Sequence, residues 1–330
     1  MKIAVYSHHG FEKDFIEEAN SAGHDLCLLS QKLTAETVNE AKGCAAIVIF
    51  SSDKVSKEVL GQLKKMEVQL IVTRSAGTDH IDLEAAEAMG LKVANVPSYS
   101  PYAIAEHTLA LALALLRKLK PSFARTSQYN FDLNGLVGTE IHQKTFGVCG
   151  TGDIGKAVAK IAHGFGAKVL LFDEKEDDFL AGVGWASYTS KSELLGQADI
   201  ISLNLPLNKG THNFISADSI QKMKDSAILV NTGRGGLVDT TAVHQALTQN
   251  NLAGYGMDVY EDEKGIFYKD RSAAKEKDPL LVSLIAMDNV VVTAHQAFLT
   301  RNALWNMMGT VFQNLNDFSE GRTLNHLVSA

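Results

Sequence analysis

Short apolar runs alternate along the chain with stretches in which apolar residues recur every three or four positions. Residues 3–6, 45–50, 69–72 and 92–96 read as strands, and residues 11–22, 55–65 and 82–89 read as helices. Gly23 and Gly90 stop two of these helices, and Pro97 ends the last strand. The run 45–50 is apolar without a break, which suits a parallel strand covered on both faces. Residues 101–120 then predict one long helix, with Pro101 in its first turn and Pro121 at its end. A second alternation begins at Thr145, with strands expected at 169–172, 200–205, 227–231, 254–258 and 290–293 and helices between them. The final helical stretch, 301–320, is placed back on the first half. The pattern predicts an α/β protein of two domains, each a parallel sheet flanked by helices.

The first strand of the second alternation runs into Gly150-Thr151-Gly152-Asp153-Ile154-Gly155. Three glycines at the spacing G-x-G-x-x-G let the chain turn tightly out of a strand, let a pyrophosphate approach the backbone, and let the next helix pack close. The helix N-terminus then faces the phosphates. A helical run follows, then an apolar strand ending in Asp173, 18 residues beyond Gly155. That acid stands where a carboxylate bonds the adenosine ribose. A dinucleotide site is expected, with NAD preferred because Asp173 and Glu174 would repel a 2′-phosphate.

Composition narrows the partners. The 330 residues carry a net charge of −7 and show no long basic run, which argues against a nucleic-acid surface. The longest apolar run, 109–116, is far short of the about 20 residues needed to cross a bilayer. The N-terminus lacks the apolar core of a secretion signal. The three cysteines, Cys27, Cys44 and Cys149, are scattered, so a reducing, cytoplasmic setting is expected. Neither C-x-x-C nor H-E-x-x-H occurs, and no metal site is expected.

Ionisable groups stand just past three of the expected strands. Arg234 follows 227–231, the acids Glu261, Asp262 and Glu263 follow 254–258, and His295 follows 290–293. Open α/β sheets bind ligands at these carboxyl ends. Arginine offers a planar fork for a carboxylate, and histidine exchanges a proton near neutral pH with a carboxylate to orient it.

With these motifs in place, the chain resembles the D-isomer-specific 2-hydroxyacid dehydrogenase family over almost its full length. The carriers are Arg74-Ser75-Ala76-Gly77, the run from Asn95 to Pro101, the glycine loop, the run from Val230 to Gly235, Met257-Asp258-Val259-Tyr260-Glu261, and the run from His295 to Thr300. The resemblance implies a flavodoxin-like substrate domain, 1–98 plus 299–330, and a Rossmann NAD-binding domain, 99–298. It implies Arg234, Glu263 and His295 as the catalytic set, with Glu263 the acid beside the histidine. It implies substrate contacts from Ala76, Gly77, Tyr99, Arg234, His295 and Phe298. NAD would be held by Gly150, Gly152, Asp153, Ile154, Gly155, Asp173, Leu205, Pro206, Thr232, Gly233 and Asp258. The implied reaction is reversible hydride transfer between NADH and a small 2-keto acid, in a homodimer or homotetramer.

The long polar segment 263–280, Tyr99 and Phe298 point within the family to the branch acting on pyruvate and D-lactate. Two departures affect detail only: Asn231-Thr232-Gly233 stands in place of the commoner serine before Arg234, and His80 lies where relatives vary. A dehydrogenase for a larger 2-hydroxy acid is the alternative within the class. A dinucleotide-sensing binding protein on the same fold is the alternative outside it.

Overall fold

The computed structural model describes residues 1–329, and among these the chain divides into two compact units. The first is Met1–Ser100 with the C-terminal segment from Leu299, and the second is Pro101–Phe298. No helix among the described residues is long and apolar enough to cross a membrane.

The first unit holds strands β1 (Lys2–Val5), β2 (Asp25–Leu28), β3 (Ala46–Ile49), β4 (Leu70–Thr73) and β5 (Lys92–Ala94). They form one parallel sheet in the order β2-β1-β3-β4-β5. Every residue of β3 and β4 is buried, as the unbroken apolar runs require. Helix Arg301–Ser319 returns from the far end of the chain and packs on β4 and on helix Lys13–Ala19. Arg74, 1% exposed, pins the strand ends together. Its guanidinium bonds Glu12 Oε2 at 2.6 Å, the carbonyls of Tyr6 and Ser7 at 2.5 and 3.1 Å, and that of Ile49 at 3.3 Å. An ion pair this deep holds only because the donors of the fork find acceptors.

The second unit holds β6 (Thr145–Cys149), β7 (Lys168–Phe172), β8 (Ala186–Tyr188), β9 (Ile200–Leu203), β10 (Ile228–Asn231), β11 (Gly254–Met257) and β12 (Val290–Val292). The order is β12-β11-β10-β9-β6-β7-β8, again all parallel. The order reverses between β6 and β9, and a doubly wound sheet opens its ligand crevice at that point.

The expected single helix over 101–120 is two helices, Pro101–Leu116 and Leu119–Thr126. Lys118 adopts a left-handed backbone (φ 51°) that no helix can continue through. Pro121 lies in the first turn of the second helix, where its missing N–H costs nothing, and does not mark the end of the first. Several strands stop one or two residues short of the expected ends, since the last apolar residues leave the ladder to enter the loops.

Candidate active site

The glycine loop leaves β6 at Gly150, whose φ of 92° is open to glycine and strained for other residues. Gly155 lies so close beneath it that a Cβ there would stand 1.8 Å from the Gly150 carbonyl oxygen. Gly152 differs: a Cβ on it would meet nothing within 4 Å. The loop is therefore packed tight from below and open above, the form a pyrophosphate cradle takes. Helix Asp153–Gly164 starts directly after it, so Asp153 and Ile154 stand in its first turn. Asp173, past β7, accepts from the Thr151 amide at 2.6 Å and its hydroxyl at 3.1 Å, and from the Lys175 amide at 3.2 Å. The acid expected at the ribose thus also braces the loop. Leu205 is buried and Pro206 exposed just past β9, the other wall of the crevice. The residues fit a dinucleotide. Cys149, under the loop, is fully buried, and burial pushes its thiol up to about 12.

The three ionisable groups stand past the ends of adjacent strands. β10, β11 and β12 pair in register, with Asn231 opposite Met257 and Met257 opposite Val292. Arg234 follows β10, Glu263 follows β11 and His295 follows β12. Asn231 shapes the arginine turn: its Oδ1 accepts from Gly233 N at 3.1 Å and its Nδ2 donates to Arg234 O at 2.9 Å. Arg234 Nη1 donates to Gly233 O at 3.0 Å. A Cβ on Gly235 would stand 2.1 Å from the Tyr260 carbonyl carbon, so the arginine turn lies flush on the acidic turn. Thr232 is buried, and its hydroxyl meets that of Thr108 on helix Pro101–Leu116 at 2.8 Å.

Three consecutive acids were open to the role beside His295. Glu261 and Asp262 are exposed, whereas Glu263 turns inward. Its Oε1 stands 2.9 Å from His295 Nδ1, and its Oε2 accepts from Tyr260 N at 3.1 Å. A carboxylate can only accept, so His295 Nδ1 carries a proton and Nε2 is the nitrogen left to exchange one. The histidine backbone is held in the left-handed region, φ 52°. Such a residue costs on the order of 1–3 kcal/mol and needs bracing. His295 N donates to Asp258 O at 2.6 Å, and Tyr268 Oη donates to His295 O at 3.0 Å.

Asp258, expected at the dinucleotide, turns its carboxylate into the histidine turn. It has no exposed surface, and both carboxylate oxygens are taken by protein donors. Oδ1 accepts from Thr293 Oγ1 at 2.5 Å and Gln296 N at 2.8 Å, and Oδ2 accepts from Ala297 N at 2.8 Å. His107 Nε2 lies 3.5 Å from Oδ1 and 3.0 Å from Thr293 Oγ1. Burial alone pushes the Asp258 carboxyl up, but the bonds from His107, Thr293 and the two amides outweigh it and hold the group below the usual carboxylate range. Asp258 is the anchor of the histidine turn. Nothing in the local sequence marks His107 for this role, because its partners lie far along the chain.

In the first unit, Ala76 and Gly77 form a loop just past β4, with Ala76 exposed. Tyr99 is half-buried, and its carbonyl accepts from Asn306 Nδ2 at 2.7 Å. Phe298, in the second unit, is 7% exposed.

Comparison with known proteins places the molecule. Residues 109–297 match the family described as D-isomer specific 2-hydroxyacid dehydrogenase, NAD binding domain. A 2-hydroxyacid dehydrogenase homolog of Zymomonas mobilis is 40% identical over 326 residues, 98% of each chain. D-lactate dehydrogenase of Escherichia coli is 39% identical over 324 residues, again 98% of each. The solved structure of the pyruvate reductase of Chlamydomonas reinhardtii superposes with a TM-score of 0.92 at 37% identity, covering 98% of each chain. The chain belongs to the D-isomer-specific 2-hydroxyacid dehydrogenases. It is an NAD-dependent oxidoreductase of that family, with the two parallel-sheet domains its relatives share.

Proposed function

We propose that the protein reduces pyruvate to D-lactate, reversibly, with NADH. The observation that carries the reading is the 2.9 Å contact of Glu263 with His295 Nδ1, on the strand end beside the Arg234 turn. When bound, the dinucleotide supplies the hydride for the carbonyl carbon. Arg234 anchors the substrate carboxylate and polarises the carbonyl oxygen. Protonated His295 gives its Nε2 proton to that oxygen, and Glu263 holds the imidazolium charge. In the reverse direction neutral His295 takes the hydroxyl proton at Nε2. Backbone N–H groups at Ala76–Gly77 hold the carboxylate, and Tyr99 and Phe298 limit the space for its side chain. Gly150, Gly152, Gly155 and Asp173 hold the dinucleotide. The lactate and pyruvate activities in the names of relatives support the choice of substrate.

A homodimer or homotetramer belongs to the same reading. The exposed Phe123, Tyr129, Phe131, Leu133 and Val137 of one segment support it, since a patch of this kind marks an interface.

The test is NADH oxidation with a panel of 2-keto acids of increasing side-chain length, with the chirality of the product determined. Pyruvate should give the highest kcat/KM and the D-acid. A maximum at a longer acid would replace pyruvate as substrate, and no turnover with any member would refute the enzymatic reading.

A further inference from the structure

Beneath the Ala76–Gly77 loop runs a line of polar groups whose protons can be counted. Ser75 Oγ donates to Gly77 O at 2.7 Å. A hydroxyl has one proton, so Ser75 can only accept from Thr73 Oγ1, 2.7 Å away. The Thr73 proton is then used, and its contact with His80 Nε2 at 3.1 Å requires the imidazole to donate. One direction remains: His80 Nε2–H to Thr73, Thr73 to Ser75, Ser75 to the Gly77 carbonyl. Thr73 is fully buried and Ser75 nearly so, where such chains strengthen one another. His80 stands on firm backbone, since its carbonyl accepts from Val55 N at 2.9 Å and Val55 bridges Ile81.

The consequence lies in the peptide planes. The bonds here are trans, so each C=O and the N–H of the same plane point opposite ways. Gly77 O is held toward Ser75, which turns the Thr78 N–H away from it. Ala76 O accepts from Asn95 Nδ2 at 2.8 Å, which turns the Gly77 N–H away from Asn95.

The geometry points to His80 as a positioning residue for the substrate carboxylate, acting through Thr73 and Ser75 on the Gly77–Thr78 peptide plane of the loop, beside the plane that Asn95 holds. This rests on the reading that the loop's amides hold that carboxylate. His80 touches no reacting atom. It supplies the first proton of a relay that fixes the direction of the Thr78 amide.

The test compares His80→Phe, which keeps bulk and loses the donor, with His80→Gln, which keeps an N–H at about the same reach, and with Ser75→Ala. Pyruvate KM and kcat are measured beside NADH affinity by fluorescence. A carboxylate seat that binds ground state and transition state alike should show in KM. His80→Phe and Ser75→Ala should raise the pyruvate KM about five- to tenfold, with kcat and NADH affinity near wild type. His80→Gln should recover most of the loss. Unchanged KM in Phe and Ala variants overturns the proposal, as does a Gln variant no better than Phe. Thermal unfolding checks the fold, and if His80→Phe fails to fold, Ser75→Ala and His80→Gln still decide. Gly77→Pro removes an amide proton outright and separates the two readings. If it leaves the pyruvate KM unchanged, the loop is not the carboxylate's seat. If it raises that KM while the relay variants do not, only the role of His80 is refuted.

Discussion

Asp258→Asn keeps the volume of the side chain and one acceptor oxygen, but removes the charge and turns the other oxygen into an NH2 group. In the native protein one oxygen accepts from Thr293 Oγ1 and Gln296 N and the other from Ala297 N, all within 2.8 Å. Whichever way the amide is placed, its NH2 faces a donor, so at least one bond is lost and two donors are pressed together. A bond to a charged acceptor contributes about 1.5–3 kcal/mol. The site has no exposure to water that could replace it. The expected loss of unfolding free energy near pH 7 is therefore about 3–5 kcal/mol. The folded carboxyl lies below its ordinary value, so its charge adds stability above the unfolded value of about 4 and loses that contribution as the pH falls through the folded one. Urea unfolding of both proteins from pH 7 downward should show the full difference at neutral pH and a shrinking one below about pH 4. The same variant should lower kcat, because the turn carrying His295 loses its anchor, while NADH affinity changes little. A stability difference under about 1 kcal/mol, or one that is flat with pH, refutes the anchoring role. A loss confined to NADH affinity would leave Asp258 the dinucleotide role alone.

Glu263→Gln removes the charge 2.9 Å from His295, so kcat should fall in both pyruvate reduction and lactate oxidation. An unchanged kcat in both directions would dismiss Glu263 as the partner. Arg234→Lys should raise the pyruvate KM and lower kcat, since the charge survives but the fork does not, with NADH fluorescence titration nearly unchanged. Asp173→Ala should narrow the preference for NADH over NADPH through the dinucleotide KM, and a wild type that uses both equally would sink the ribose assignment. Alanine at Tyr99 or Phe298 should raise activity on phenylpyruvate relative to pyruvate by an amount on the scale of about 1–3 kcal/mol, and an unchanged ratio in both places these rings in packing alone.

Both sheets were legible because parallel strands buried on two faces leave unbroken apolar runs, as in β3, β4 and β9. β2 and β8 left no such mark: each is short and only half-buried at a sheet edge. The break at Lys118 carries no local signal, because lysine has no preference for the left-handed region it occupies. At the site, the glycine spacing and the ionisable groups past each strand could be read directly. The choice among three neighbouring acids could not, because it depends on how the turn after β11 folds Glu263 back onto the Tyr260 amide. The support of the site stayed hidden for a related reason. His107 and Thr293 reach Asp258 from distant segments, and the proton direction of the His80 relay appears only when three contacts are counted together.

The first unit is interrupted by the whole of the second, and this orders events on the ribosome. Helix Arg301–Ser319, which packs on β4, is made only after some two hundred residues of another domain have emerged, and the edge of β5 waits longer still for Val328 N to bond Val93 O at 2.9 Å. At about 5–20 residues per second the nascent sheet spends ten seconds or more without its last helix. The second unit, by contrast, is complete in one continuous stretch before that helix is translated. Synthesis therefore completes the sequence of the second unit while the sheet of the first still lacks the helix that packs on β4.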